Sequence, residues 1–327
     1  MKKSVTTHSM LPEPSLARSD LTAAIDIGSN TVRLLIASVG QGTIEPVCYF
    51  RKITRLAGGL AEDTGLAPAA IARTLTALLE IREILFRHGI ENPRAVGTEA
   101  LRKACNGRDF VQEVGRTAGF HLEIIDGPTE ARLSCLGVLS AIHPLPDKCL
   151  IFDIGGGSTE FIFWQKGKIK FQASYPLGVV RLSESGQDPE KQNDILTRIL
   201  ATVEQDLQNV GFFAEILEPE VLLVGTAGTV TTLAAIDLEM RQYEREKINN
   251  HILSYDKLDQ MLPVLAKLPL GEREKIPGME EGRGDLIVPG LRTVLSLMTL
   301  FHKDSLVVSD AGLLEGILLD LNDGIST

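Results

Sequence analysis

The chain has 327 residues, 44% of them hydrophobic and 23% charged, a globular composition that excludes collagen-like, low-complexity and disordered chains. Lys and Arg total 33 against 43 Asp and Glu, a formal net charge of -10, so no global field draws nucleic acid or an anionic membrane to the surface. An anionic ligand therefore needs donors gathered locally.

At this length one large or two medium domains are expected. The four cysteines, Cys48, Cys105, Cys135 and Cys149, form no C-x-x-C pair and no zinc-like spacing with the six histidines, which suits a reducing compartment. Residues 1–20 begin with two lysines but lack an apolar stretch of signal-peptide length and read as a disordered leader. The uncharged run from Val221 to Ile236 is rich in Thr and Gly and shorter than the roughly 20 apolar residues a bilayer span needs. These features predict a soluble, cytoplasmic protein with no membrane or nucleic-acid partner.

In chain order, Leu21 to Val39 reads as strand, tight polar turn, strand. Pro68 to His88 has apolar residues at helical spacing, proline in its first turn and Gly89 at its end. Short apolar runs at 94–97 and 121–125 alternate with helical text at 109–118 and 129–140, the pattern of an α/β sheet. A second copy of the opening pattern then starts at Cys149, with D-I-G, a small-residue turn and another apolar run. The chain thus reads as internally duplicated, with a period too long for a solenoid. A helix from Pro189 to Val210, a strand at 221–224, a small-residue turn opening another helix, a helix at 285–301, a strand at 306–309 and a final helix from Asp310 to Leu321 complete the reading.

Asp26-Ile27-Gly28-Ser29-Asn30-Thr31 and Asp153-Ile154-Gly155-Gly156-Gly157-Ser158-Thr159 each set a carboxylate at a strand end before residues whose backbone can approach an anion closely. Ordinary hairpin turns favour the same residue types, so both explanations stand. Gly225-Thr226-Ala227-Gly228-Thr229 lies between a strand and a helix, where helix amides favour phosphate; close packing on small residues is its alternative. Asp26, Asp153 and Glu160 offer oxygen ligands for Mg²⁺ or Mn²⁺, or are strand-end acids without a ligand. Neither a Walker A sequence nor G-x-G-x-x-G occurs.

The segments AIDIGSNTVRLLIA, VGTEALRKA, EIIDGPTEARLSCLGV, IFDIGGGSTEFIF, LLVGTAGTVTTLAAI and VVSDAGLLEGIL, in this order, resemble the exopolyphosphatase and guanosine pentaphosphate phosphohydrolase (Ppx/GppA) family. The resemblance implies an α/β fold of two ribonuclease-H-like lobes around an inter-lobe cleft, as in the superfamily of actin-like ATPases, sugar kinases and Hsp70 proteins. It implies a first lobe over 21–131, with 310–327 returning to it, and a second over 132–309. It also implies metal-dependent hydrolysis of the terminal phosphoanhydride of inorganic polyphosphate, guanosine pentaphosphate or both, with a homodimer left open.

By the same resemblance Glu130, in Thr129-Glu130-Ala131-Arg132, is the catalytic base, although a glutamate in a helix's first turn is also what the dipole favours. Arg102 matches an arginine that faces the phosphate site, and with the three small-residue turns already described the phosphate-binding set is Gly28, Ser29, Asn30, Thr31, Arg102, Gly156, Gly157, Ser158, Thr159, Gly225, Thr226 and Gly228. Arg33 and Arg283 resemble positions that contact nucleotide or distal phosphates. Two departures stand out. Thr129 replaces a second acid before the glutamate, and Leu314 replaces an arginine before Glu315-Gly316. Rival functions are an ATP-using kinase or ATPase of the same superfamily and a non-catalytic sensor of polyphosphate or a guanosine alarmone.

Overall fold

The computed structural model describes residues 9–10, 21–40, 43–61, 63–186 and 188–324. They divide into two compact units, one running to Ser140 and resuming at Leu313, the other spanning Ala141–Gly312. The division falls at the end of a helix rather than at 131/132, because that helix packs as one body.

The first unit holds β1 (Ser9–Met10), β2 (Leu21–Ile27), β3 (Thr31–Gly40), β4 (Thr43–Ile53), β5 (Arg94–Gly97) and β6 (Leu122–Ile124), in sheet order β1-β4-β3-β2-β5-β6. β2 and β3 are antiparallel, whereas β5 and β6 run parallel to β2. The leader expected over 1–20 lies outside the described residues apart from Ser9 and Met10, which pair with Tyr49 and Cys48. Alternation along β2 and β3 splits their apolar residues between two cores. Ile25, Ile27, Val32 and Leu34 meet α1 (Pro68–Arg87) and α3 (Gly107–Ala118) on one face; Ala24, Leu35 and Ala37 meet α4 (Gly127–Ala141) and the final helix, Leu313–Gly324, on the other. A short helix, α2 (Glu99–Lys103), joins β5 to α3.

The second unit has β7 (Lys148–Ile154), β8 (Thr159–Gln165), β9 (Lys168–Tyr175), β10 (Leu222–Thr226), β11 (Ile252–Ser254) and β12 (Ser305–Ser309), in order β11-β12-β10-β7-β8-β9. Its helices are α5 (Val179–Glu184), α6 (Pro189–Asn209), α7 (Phe213–Ile216), α8 (Ala227–Asp237), α9 (Arg245–Ile248), α10 (Tyr255–Lys267), α11 (Leu270–Arg273) and α12 (Ile287–Leu300). In both units a three-strand antiparallel meander is followed by two parallel strands on the other side of the first strand. The sequence duplication is therefore a duplicated α/β topology.

The final helix, α13 (Leu313–Gly324), begins three residues later than its sequence predicts. Asp310 donates its amide to Asn249 Oδ1, and the Ala311 carbonyl accepts the Thr226 and Ser309 hydroxyls, so this stretch is held as a loop. Further along, α13 meets α4 so closely that a Cβ at Gly316 would stand 1.8 Å from the Leu133 carbonyl oxygen. Gly316→Ala should therefore cost roughly 1–3 kcal/mol of stability by overpacking, read from the urea midpoint.

Asp320 on α13 accepts from Arg132 Nη1 of α4 at 2.8 Å and from Arg94 Nη1 of β5 at 2.5 Å. The Arg132 hydrogen bond above all, against partial burial and with Arg94 adding to it, holds this carboxyl below its ordinary value. A depressed folded pKa contributes stability above the unfolded value of about 4, and that contribution is lost as pH falls through the folded pKa. Asp320→Asn is expected to lose roughly 1 kcal/mol or less at pH 7. At pH 3 its deficit relative to wild type should shrink, which paired urea titrations at the two pH values measure.

Candidate functional site

Both D-I-G turns are hairpin tips, and they are built alike. The Gly28 amide bonds the Thr31 carbonyl at 3.0 Å, and the Gly155 amide bonds the Ser158 carbonyl at 2.9 Å. Each tip's carbonyls are braced from outside. Asn30 O accepts from the Thr54 and Arg55 amides and Ser29 O from Ala57; Gly155 O accepts from Val179 and Gly156 O from Val180 and Arg181. With the carbonyls engaged, the tip amides of Ser29, Asn30, Gly156 and Gly157 have no acceptor among the described residues. The hairpin and anion-nest readings are thus compatible. Sequence reasoning missed the braces. The signal was Gly178, where a Cβ would meet Gly156 and Gly157 backbone at 2.2–2.3 Å.

Two threonines of the phosphate-binding set spend their hydroxyls on nearby carbonyls. Thr159 is fully buried and donates to the Leu177 carbonyl, and Thr226, 4% exposed, donates to Ala311. Both hydroxyls are structural because each satisfies a buried carbonyl. Ser158 Oγ instead donates to Glu160 Oε1 at 2.6 Å, which Ser174 also approaches at 2.6 Å.

The acids occupy equivalent places with different partners. In register, Asp26 faces Arg33 across β2–β3, and Asp153 faces Glu160 across β7–β8. Arg33 gives Nε and Nη2 to Asp26 Oδ2 at 2.9 and 2.5 Å, while the buried Oδ1 has no hydrogen-bond partner among the described residues. Arg33, which resembles a phosphate-contacting position, is thus the ion-pair partner of Asp26, a candidate metal ligand. Asp153 and Glu160 set two carboxylates on one face of the sheet, an arrangement unfavourable for like charges and relieved by a hard cation. No cluster of three or more metal-ligating side chains exists among the described residues. The Asp153–Glu160 pair nevertheless suits Mg²⁺, which takes one or two carboxylates and fills its shell with water and phosphate.

The third turn opens α8. A Cβ at Gly225 would collide with Phe152 and Val230 at 2.8–2.9 Å, so this glycine serves close packing. A Cβ at Gly228 would lie 1.8 Å from Arg283 Nη2, so that guanidinium rests on the helix's first turn. Glu280 pairs with Arg283, and Glu274 accepts from the Gly282 and Gly284 amides to hold its loop. Ala227 between them has φ 66°, a left-handed backbone that costs a non-glycine residue of order 1 kcal/mol or more.

Glu130 and Arg102 come together within the first unit. Asp126 starts α4, accepting the Thr129 amide at 2.8 Å. The Thr129 hydroxyl, then its amide, lower the Asp126 pKa against partial desolvation, and Arg102 adds to the effect. One turn on, Glu130 Oε2 accepts from Arg102 Nη1 at 2.6 Å, and the same nitrogen donates to Ile125 O at 2.9 Å. Nε and Nη2 of Arg102 have no partner among the described residues, and two directed donors suit a phosphate.

The model of the Ppx/GppA phosphatase family matches residues 35–324. The chain belongs to this family. It is 33% identical to a protein named exopolyphosphatase 2 from Mycobacterium tuberculosis, over 91% of this chain and 98% of that protein. It is 28% identical to a guanosine-5'-triphosphate,3'-diphosphate pyrophosphatase from Aeromonas salmonicida, over 93% of this chain and 60% of that protein. The crystal structure of the Aquifex aeolicus Ppx/GppA family member superposes with a TM-score of 0.78 at 31% identity, covering 94% of this chain and 99% of that one. The α/β architecture of two similar units is thus the fold of Ppx/GppA phosphatases. In this member Leu314, at the position matched to an arginine, is buried with Leu35 and Leu133 in the core beneath α13. Among the described residues no helix is long and apolar enough to cross a membrane.

Proposed function

We propose that the chain removes the terminal phosphate of inorganic polyphosphate by hydrolysis, with guanosine pentaphosphate as a second substrate. The observation that carries this reading is the 2.6 Å pair between Glu130 and Arg102. Arg102 can keep Nη1 on the carboxylate while Nε and Nη2 take phosphate oxygens. The pair then ties the position of the base to that of the reacting group. A carboxylate so placed can orient a water in line and accept its proton as the P–O bond breaks. Each unit also carries its own donors for phosphate oxygens, the Ser29 and Asn30 amides in the first and the Gly156 and Gly157 amides and the first turn of α8 in the second.

Asp153 and Glu160 would hold Mg²⁺ or Mn²⁺, whose charge would offset that of the phosphate oxygens. Polyphosphate is favoured because aromatics make up only 5% of the chain, and because the relative named exopolyphosphatase 2 matches over almost its whole length. The test measures phosphate release from long-chain polyphosphate, guanosine pentaphosphate and ATP side by side in Mg²⁺. Polyphosphate should turn over fastest. Preferred turnover of ATP would favour the kinase or ATPase alternative, and tight binding without release would favour a sensor.

A further inference from the structure

The elbow between α2 and α3 borders a cavity of about 480 Å³ lined by Leu101, Arg102, Ala104, Cys105, Arg108 and Ile124. Two of these are arginines in a protein of net charge -10. Arg102 reaches Glu130, whereas exposed Arg108 has no acidic partner among the described residues. The frame beneath them is rigid. Asn106 accepts the Leu66 amide at 2.8 Å and donates to the Leu66 carbonyl at 3.1 Å. Gly107 lies so close to α2 that a Cβ there would stand 2.4 Å from the Leu101 carbonyl oxygen. The backbone positions of Arg102, Cys105 and Arg108 are therefore held by these contacts, so both guanidiniums are anchored beside the same cavity. Leu101, Ala104 and Ile124 fill the rest of the wall without adding an acidic group.

We propose that this cavity is a subsite for phosphate groups distal to the one being hydrolysed, with Arg108 binding them beyond Arg102. The proposal rests on the hydrolytic reading, since Arg102 is what links the cavity to Glu130. Inner phosphates of a polyphosphate chain and the 3'-diphosphate of guanosine pentaphosphate present the same chemistry, and the experiment separates them.

Cys105 is an exposed thiol in the cavity wall, while Cys135 and Cys149 are buried and burial pushes the half-buried Cys48 thiol up. Its alkylation by iodoacetamide, followed by peptide mass spectrometry, therefore reports occupancy without needing turnover. In the full-length Glu130→Gln protein with Mg²⁺, saturating long-chain polyphosphate should slow Cys105 alkylation, and Arg108→Ala should raise the half-protecting concentration roughly tenfold, as for loss of one charged hydrogen-bonded contact. Arg108→Lys should recover part of that loss by keeping the charge. Protection by guanosine pentaphosphate at similar concentrations would assign the subsite to both ligands; protection by polyphosphate alone would assign it to the chain.

An unchanged alkylation rate under saturating polyphosphate, or an unchanged half-protecting concentration in Arg108→Ala, overturns the subsite. Hydrolysis by the wild-type protein without Cys105 protection removes the subsite and leaves the proposed function standing. Protection without hydrolysis of any anhydride does the reverse. Because Arg108 is exposed at a helix N-terminus, where positive charge is unfavourable, its removal does not threaten folding.

Discussion

Glu130→Gln is expected to lower polyphosphate turnover roughly 10²–10⁴-fold, the usual contribution of a positioned general base. The side chain is nearly isosteric and can still accept the hydrogen bond from Arg102. The native pair is only partly covered, with side chains 28% and 25% exposed, so stability should change by about 1 kcal/mol or less. The variant should therefore bind substrate with little change and fail at the chemical step. Steady-state kinetics with a urea titration check both halves, and wild-type turnover in a folded variant would return Glu130 to the role of a helix first-turn acid.

Removal of divalent cations should have a comparable effect. If a hard cation relieves the Asp153–Glu160 repulsion and neutralises substrate charge, its loss forfeits several kcal/mol of transition-state stabilisation, or roughly 10²-fold or more in rate. Added Mg²⁺ or Mn²⁺ should restore activity. Glu160→Gln should raise the Mg²⁺ concentration needed for half-maximal rate, because one anionic ligand is lost while the Ser158 and Ser174 hydroxyls keep a polar partner. Full activity after exhaustive chelation would leave these carboxylates as structural groups.

The duplication was legible because it was written in spacing. Asp26 to Arg33 and Asp153 to Glu160 cover the same interval, and each pair faces across a hairpin of the same construction. What each acid faces was not legible, since cross-strand partners follow from register rather than from residue type. Helices with clear periodicity and punctuation, such as α1 and α6, stood out. β4 did not, because Pro46 and several charges interrupt its alternation; it pairs along β3 through a bulge that sets Pro46 opposite Ala37. α10 was hidden by the proline within it, Pro263. At the site, sequence could mark Thr159 and Thr226 as members of phosphate-binding turns but could not show that nearby carbonyls hold their hydroxyls. Arg108 carried no signal in the sequence, because its significance comes from the cavity it shares with Arg102.

In the proposed reaction, water activated at Glu130 takes the terminal phosphoryl group. Hydrolysis of long-chain polyphosphate in ¹⁸O-labelled water, followed by mass analysis of the orthophosphate, tests it most directly. One labelled oxygen per phosphate released is expected, with a labelling rate that falls with turnover in Glu130→Gln. Phosphate appearing on an organic acceptor without the label, or no orthophosphate at all from polyphosphate or guanosine pentaphosphate, would contradict it.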